Sequence, residues 1–268
     1  MKVTLEIWRQ PDTASPGRFE SYPVDDAAPE MSLLELLDRL NDALVAAGRD
    51  PVAFDSDCRE GVCGSCGITV DGRPHGPVPN TPSCRQHVRS FDDGARFRVE
   101  PLRSAAYPVV RDLVVDRSAL DRIISAGGHI AVDAGTAADA DAEPLTKDDA
   151  EYALDFAACI GCGACVAACP NGAAHLFAGS KLLHLGTVTR GRLERGRRAR
   201  AVVAAMEDEF GPCSSYGECA QVCPESIPLT AIAAVNREVM RARLRGRADW
   251  PRIETSSADG SASDRDRS

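Results

Sequence analysis

The chain lacks any apolar run approaching the ~18 residues that span a bilayer. It also lacks a basic excess. Lys and Arg number 31 against 40 Asp and Glu, a formal net charge of −9, which argues against nucleic acid as a partner. No signal-peptide pattern precedes Val3-Thr4-Leu5-Glu6-Ile7, an alternating strand-like run that begins directly after Lys2. Together these absences predict a soluble intracellular protein. Five histidines are present (His75, His87, His129, His175, His184), and none forms a C-x-H pair, which excludes a Rieske-type site.

Cysteine, by contrast, is abundant, with 11 residues. In a reducing compartment an odd, dense set reads as metal ligands and not as disulfides. Cys58, Cys63, Cys66 and Cys84 form a C-x4-C-x2-C…C set with plant-type 2Fe-2S ferredoxin spacing. Cys159, Cys162, Cys165 and Cys169, followed by Pro170, form C-x2-C-x2-C-x3-C, the spacing of a bacterial 4Fe-4S ferredoxin. Cys213, Cys219 and Cys223 form C-x5-C-x3-C before Pro224. Zinc is the competing metal. It takes four ligands, usually as two C-x2-C pairs, and 11 cysteines do not divide into fours. Clusters at these spacings move electrons one at a time.

The pattern around the cysteines predicts an α+β protein in two parts. Residues 1–132 read as strands with one helix. Ser32 and Glu35 form a capping box, Leu33, Leu36, Leu37, Leu40 and Leu44 follow at helical spacing, and Gly48 is a stop. Ile68-Thr69-Val70 before Asp71-Gly72 reads as a strand entering a turn, and Phe97 and Val99 mark a closing strand. With the cysteine loop, these elements resemble the β-grasp ferredoxin fold. Gly61, Gly64 and Gly67 are predicted to take positive φ in that loop and to bring N–H groups near sulfur. Residues 133–144 read as a linker, residues 145–248 as a helical two-cluster domain, and residues 249–268 as a disordered tail.

A repeat with an offset of 54 residues runs through the second part. Cys159, Cys165, Cys169 and Pro170 match Cys213, Cys219, Cys223 and Pro224, whereas Cys162 is matched by Tyr216. In two-cluster ferredoxins the fourth cysteine of each run crosses to the other cluster. Applied here, Cys159, Cys162, Cys165 and Cys223 hold a 4Fe-4S cluster. Cys169, Cys213 and Cys219 leave a three-thiolate site suited to 3Fe-4S. The alternative for that site is a four-iron cluster with water or Tyr216 on its fourth iron. Pro170 and Pro224 are predicted to open helices, with each crossing cysteine at the helix N-terminus.

A plant-type site, then a 4Fe-4S run, then a cysteine-depleted run resembles the iron–sulfur subunit of succinate dehydrogenase and fumarate reductase. The resemblance runs from Val3 to about Arg245 and includes Asp57-Cys58-Arg59-Glu60-Gly61, Arg103-Ser104 and Cys159-Ile160-Gly161-Cys162-Gly163-Ala164-Cys165. The stretch from Cys159 to His184-Leu185 is most similar to bacterial members that use menaquinone. The resemblance implies a flavoprotein partner carrying FAD, electron passage through 2Fe-2S, 4Fe-4S and 3Fe-4S clusters, and a quinone beside a membrane-anchor subunit that can carry haem. It implies a peripheral position on the cytoplasmic face of the inner membrane and no substrate chemistry in this chain. Two positions depart from the mitochondrial-type pattern. The Trp pair expected after Cys169-Pro170 is absent, and Ser214 stands where a histidine is usual. By position Pro170, Ser214 and Arg237 fall near the quinone end, where a helix start, a turn and a surface charge are their plainer readings.

The arginines at 190, 192, 195, 197, 198 and 200 are expected to form a solvated helix face, with a lipid or acidic-partner surface as the alternative. The rival functions are an iron–sulfur subunit of another flavin dehydrogenase, a free two-domain ferredoxin, and a zinc-stabilised module.

Overall fold

The computed structural model describes residues 1–129, 144–188 and 192–245. The expected linker, apart from Pro144, and the expected tail lie outside them. Strands β1 (Val3–Arg9), β2 (Arg18–Val24), β3 (Ile68–Val70), β4 (Arg73–Pro74) and β5 (Ala95–Pro101) form one sheet in the order β2-β1-β5-β3-β4. β1 pairs antiparallel with β2 and parallel with β5, while β3 runs antiparallel to β5. The alternation read from the sequence sets the face of β1, where Val3, Leu5 and Ile7 are buried. The closing strand is central, not peripheral. Asp71 and Gly72, both at positive φ, make the tight turn into β4.

Helix α1 (Leu33–Ala46) begins at the predicted capping box, with the Ser32 side chain accepting from Glu35 N–H and Glu35 accepting from Ser32 N–H. Its five predicted leucines are buried against the strands together with Val99 and Phe97. Gly48, at φ 69°, follows the end of the helix. A short hairpin of β6 (Val109–Arg111) and β7 (Val114–Val115) then leads into α2 (Ser118–Ile123).

The second half consists of α3 (Lys147–Ala157), α4 (Ala164–Ala168), α5 (His175–Val188), α6 (Arg192–Glu209), α7 (Glu218–Gln221) and α8 (Thr230–Arg245). Its main core also takes Leu102, Tyr107, Leu120 and Ile123 from the first half, packed with Phe177, Val202, Met206 and Val235. The two halves are therefore continuous through residues 102–123. Val202, Val203, Met206, Ile227 and Val235 are buried, Ile232 and Val239 are partly buried, and the Leu193 side chain lies outside the description.

The arginine-rich stretch differs from expectation. Arg195 makes a two-point ion pair with buried Glu238 at 2.5 and 2.6 Å. Buried Arg198 donates to the carbonyls of Gly127 and His129. Arg197 and Arg200 are exposed as expected, and Arg190 and the Arg192 side chain lie outside the described residues. Arg195 and Arg198 tie α6 to α8 and to the end of the first half and are not part of a solvated face. Their spacing did not reveal this because the partners are carbonyls and one distant glutamate. Burial opposes the charge of Glu238, but Arg195, Arg241 and Arg237 more than offset it and hold the carboxyl below its ordinary range.

Helices α5 and α8 meet where α5 carries Gly179. A Cβ there would stand 2.0 Å from the Ala231 carbonyl oxygen. Gly179→Ala gains roughly 1 kcal/mol of helix propensity and loses more to displaced backbone. A net loss of about 1–3 kcal/mol is expected, read as a lowered urea midpoint of the cluster-loaded protein.

Candidate metal centres

The first centre is a loop of left-handed turns. Arg59, Gly61 and Gly64 take φ of 55°, 88° and 73° between Cys58 and Cys66. Such turns point successive N–H groups at one concavity. Glu60 N–H donates to Cys58 Sγ at 3.3 Å, and Ser65 N–H to Cys63 Sγ at 3.4 Å. Gly67 departs from expectation, having no positive φ. It is small because the Leu102 side chain would lie 2.8 Å from a Cβ there. Cys84 arrives on a 3-10 turn, Ser83–Arg85. The hydrogen bond between the Cys66 and Cys84 thiols raises Cys84, with burial adding to the rise, and lowers Cys66. N–H groups of Glu60 and Val62, with the Cys63 thiol, lower Cys58 to about 7.

The repeat of the second half is visible in its backbone. Gly161 and Gly163 (φ 68° and 82°) flank Cys162, and Ser215 and Gly217 (φ 58° and 87°) flank Tyr216. Gly172 and Ser226 (φ 61° and 54°) keep the same register. Tyr216 thus occupies the backbone slot that Cys162 fills in the other copy.

The seven thiols of the second half divide between two cavities. Cys159, Cys162, Cys165 and Cys223 line one cavity of about 340 Å³, part of it open to solvent. Cys169, Cys213, Cys219 and Tyr216 line a second of about 330 Å³. All 11 cysteines are free. Among the described residues no three metal-ligating side chains converge on one point as a lone ion requires. Burial pushes Cys162 up to about 12 and raises Cys165, Cys219 and Cys223 too. Cationic iron in either cavity would offset that penalty, since a coordinating thiol is deprotonated.

Neither proline opens a helix. Cys169 caps the C-terminus of α4 and Pro170 starts a turn, while Cys223 and Pro224 follow the end of α7 in the same way. The physical reason is that proline cannot donate the bond that continues a helix, so it ends the short helix behind it. Pro170 and Ser214 line the cavity of the three thiols. Asn171 Nδ2 donates to Ser214 Oγ at 2.7 Å and to Pro212 O at 2.9 Å, fixing that loop. Arg237 is not among the lining residues and sits 3.6 Å from Glu238 on α8.

The matching family models are a 2Fe-2S iron–sulfur cluster binding domain over residues 4–122 and a 4Fe-4S dicluster domain over residues 158–227. The chain is 32% identical over 197 residues to the succinate dehydrogenase iron–sulfur subunit of Bacillus subtilis, covering 70% of this chain and 72% of that protein. The chain belongs to the family of succinate dehydrogenase and fumarate reductase iron–sulfur subunits. A fumarate reductase iron–sulfur subunit of Escherichia coli O6:H1 is 30% identical over 224 residues, 82% of this chain and 85% of that one. In fold the chain is similar to a chain of the Sdh1 complex of Mycobacterium smegmatis in the apo form. That likeness has a TM-score of 0.59 at 22% identity and covers 90% of this chain and 96% of that chain. No helix among the described residues of this family member is long and apolar enough to cross a membrane.

Sequence reasoning missed two residues at these centres. His175 lines the three-thiol cavity, and its buried Nδ1 has no hydrogen-bond partner. Arg117 donates to backbone carbonyls of both cysteine loops. The position of His175 six residues past Cys169 was a signal for the first, but no local pattern marks the second.

His75 supports the Cys84 turn, accepting at Nδ1 from Ser83 N–H at 3.2 Å. Burial, helped by the charge of Arg117, lowers its pKa to about 4. The unfolded chain therefore binds the extra proton between about pH 6.5 and 4, and stability falls as pH drops through that window. The urea midpoint should fall by the equivalent of about 2 kcal/mol from pH 7 to pH 5, and His75→Gln should flatten the dependence.

Proposed function

We propose that this chain is the iron–sulfur electron-transfer subunit of a succinate:quinone oxidoreductase. The observation that carries this reading is the division of the second-half thiols between one cavity lined by four and another lined by three, with Tyr216 at the backbone position that Cys162 fills in the other copy. Cys58, Cys63, Cys66 and Cys84 would hold 2Fe-2S. Cys159, Cys162, Cys165 and Cys223 would hold 4Fe-4S. Cys169, Cys213 and Cys219 would hold 3Fe-4S. The donor sets fit these groups, since thiols line the cavities and N–H groups of Ser215 and Ile227 donate to Cys213 and Cys223 Sγ at 3.4 Å. The orphaned Nδ1 of His175 offers a further donor beside the third set.

When bound, the clusters supply one-electron carriers between the FAD of a flavoprotein partner and menaquinone at a membrane anchor on the cytoplasmic face. The chain's own residues bind and tune. Left-handed turns place N–H donors on sulfur, which stabilises the reduced charge, and burial opposes it. Pro170 and Ser214 line the third cavity, which supports reading that side as the quinone side. We read residues 1–132 as a β-grasp ferredoxin domain and residues 145–248 as the two-cluster domain. Fumarate reduction through the same sites is the second reading, favoured by the fumarate reductase relatives.

The test is purification of the tagged chain from membranes in mild detergent. A flavoprotein should accompany it, and anaerobic succinate should bleach the cluster absorbance. A chain that emerges alone, with clusters that succinate leaves oxidised, refutes the reading. Tyr216→Cys places a thiol in the vacant ligand slot. It should raise iron content by one atom per chain and convert the third site to a four-iron cluster, seen as loss of the oxidised-state EPR signal.

A further inference from the structure

Loops from the first and second centres touch at one seam. A Cβ on Gly64 would stand 2.4 Å from the Ile160 carbonyl oxygen and about 3 Å from Cys162 backbone. Arg117, the residue before α2, joins the two sides. Its Nη1 donates to Gly64 O and to Cys162 O, both at 2.7 Å, and its Nη2 to Ser65 O at 3.4 Å. Gly64 and Ser65 lie between the thiols of the first set, and Cys162 belongs to the second. One planar guanidinium thus holds the peptide of each loop. Its donors are fixed relative to one another, so it sets a distance and an angle as well as an attraction. The seam has little other slack. Gly67, also in the first loop, packs on Leu102 and approaches Cys162 O, and Tyr107 Oη donates to Gly163 O at 3.4 Å.

We propose that Arg117 is a positioning residue that sets the separation between the first and second clusters and thereby the rate at which an electron crosses between them. The step is transfer of one electron from the reduced centre at Cys58–Cys84 to the oxidised centre at Cys159–Cys223, with no bond made or broken. The inference rests on the cluster assignments of these two sites and is independent of the third.

The test uses the full chain purified anaerobically with its clusters, after iron content and each separate EPR signal have been quantified. In fully reduced wild type the two reduced centres should broaden each other's signals. Arg117→Gln should lose much of that mutual broadening and slow the appearance of the reduced second centre several-fold after rapid reduction of the first. Arg117→Lys keeps the charge and should recover part of both. It is also the second variant if the glutamine chain assembles poorly. Unchanged broadening and unchanged transfer in either fully loaded variant overturns the proposal. Failure of the electron-transfer reading as a whole is distinguishable, because it would show in the wild-type chain isolated from membranes as the absence of a flavoprotein or as clusters that succinate does not reduce in the flavoprotein's presence.

Discussion

Sulfur charge has to be paired wherever a thiolate leaves water, and this structure is organised around that constraint. Burial, with the neighbouring thiols adding to it, pushes Cys162 and Cys165 away from ionisation. The chain answers with backbone. Left-handed residues recur beside the cysteines, at Arg59, Gly61, Gly64, Gly161, Gly163, Ser215 and Gly217. Each turn directs N–H groups toward sulfur at no cost in side-chain charge. The rest of the compensation must come from iron, which makes the protein's folding and its loading one problem.

The same constraint explains how the halves are joined. Cluster loops are poor in side chains and cannot pack on each other by apolar area. Leu102, Tyr107, Leu120 and Ile123 supply that area from the first half, and Arg117 satisfies the carbonyls left at the seam. The arginine-rich helix follows the same logic. Arg198 closes the end of the first half by capping carbonyls at Gly127 and His129, and Arg195 anchors α8 through Glu238.

Much of this was legible in the sequence, because the informative signals were local. Alternation in β1, the capping box at Ser32 and the leucine spacing of α1 depend on neighbours along the chain. The 54-residue repeat depends on backbone conformation that glycine and serine carry in both copies. What escaped was set by long-range partners. Arg117 meets residues 45 and 53 positions away, and Glu238 faces an arginine 43 positions away. The prolines misled for a related reason, since proline is compatible with a helix start and with a helix end. Which one holds at Cys169 and Cys223 was decided by the short helices before them.

We propose that the third set of thiols, three in number with Tyr216 in place of a fourth, holds a three-iron cluster at the end of an electron path. The most direct measurement is the EPR spectrum of the oxidised, anaerobically purified protein. Oxidised 2Fe-2S and 4Fe-4S centres are silent there, and a 3Fe-4S centre is paramagnetic. A signal approaching one spin per chain is expected. An EPR-silent protein that retains its full iron would contradict it.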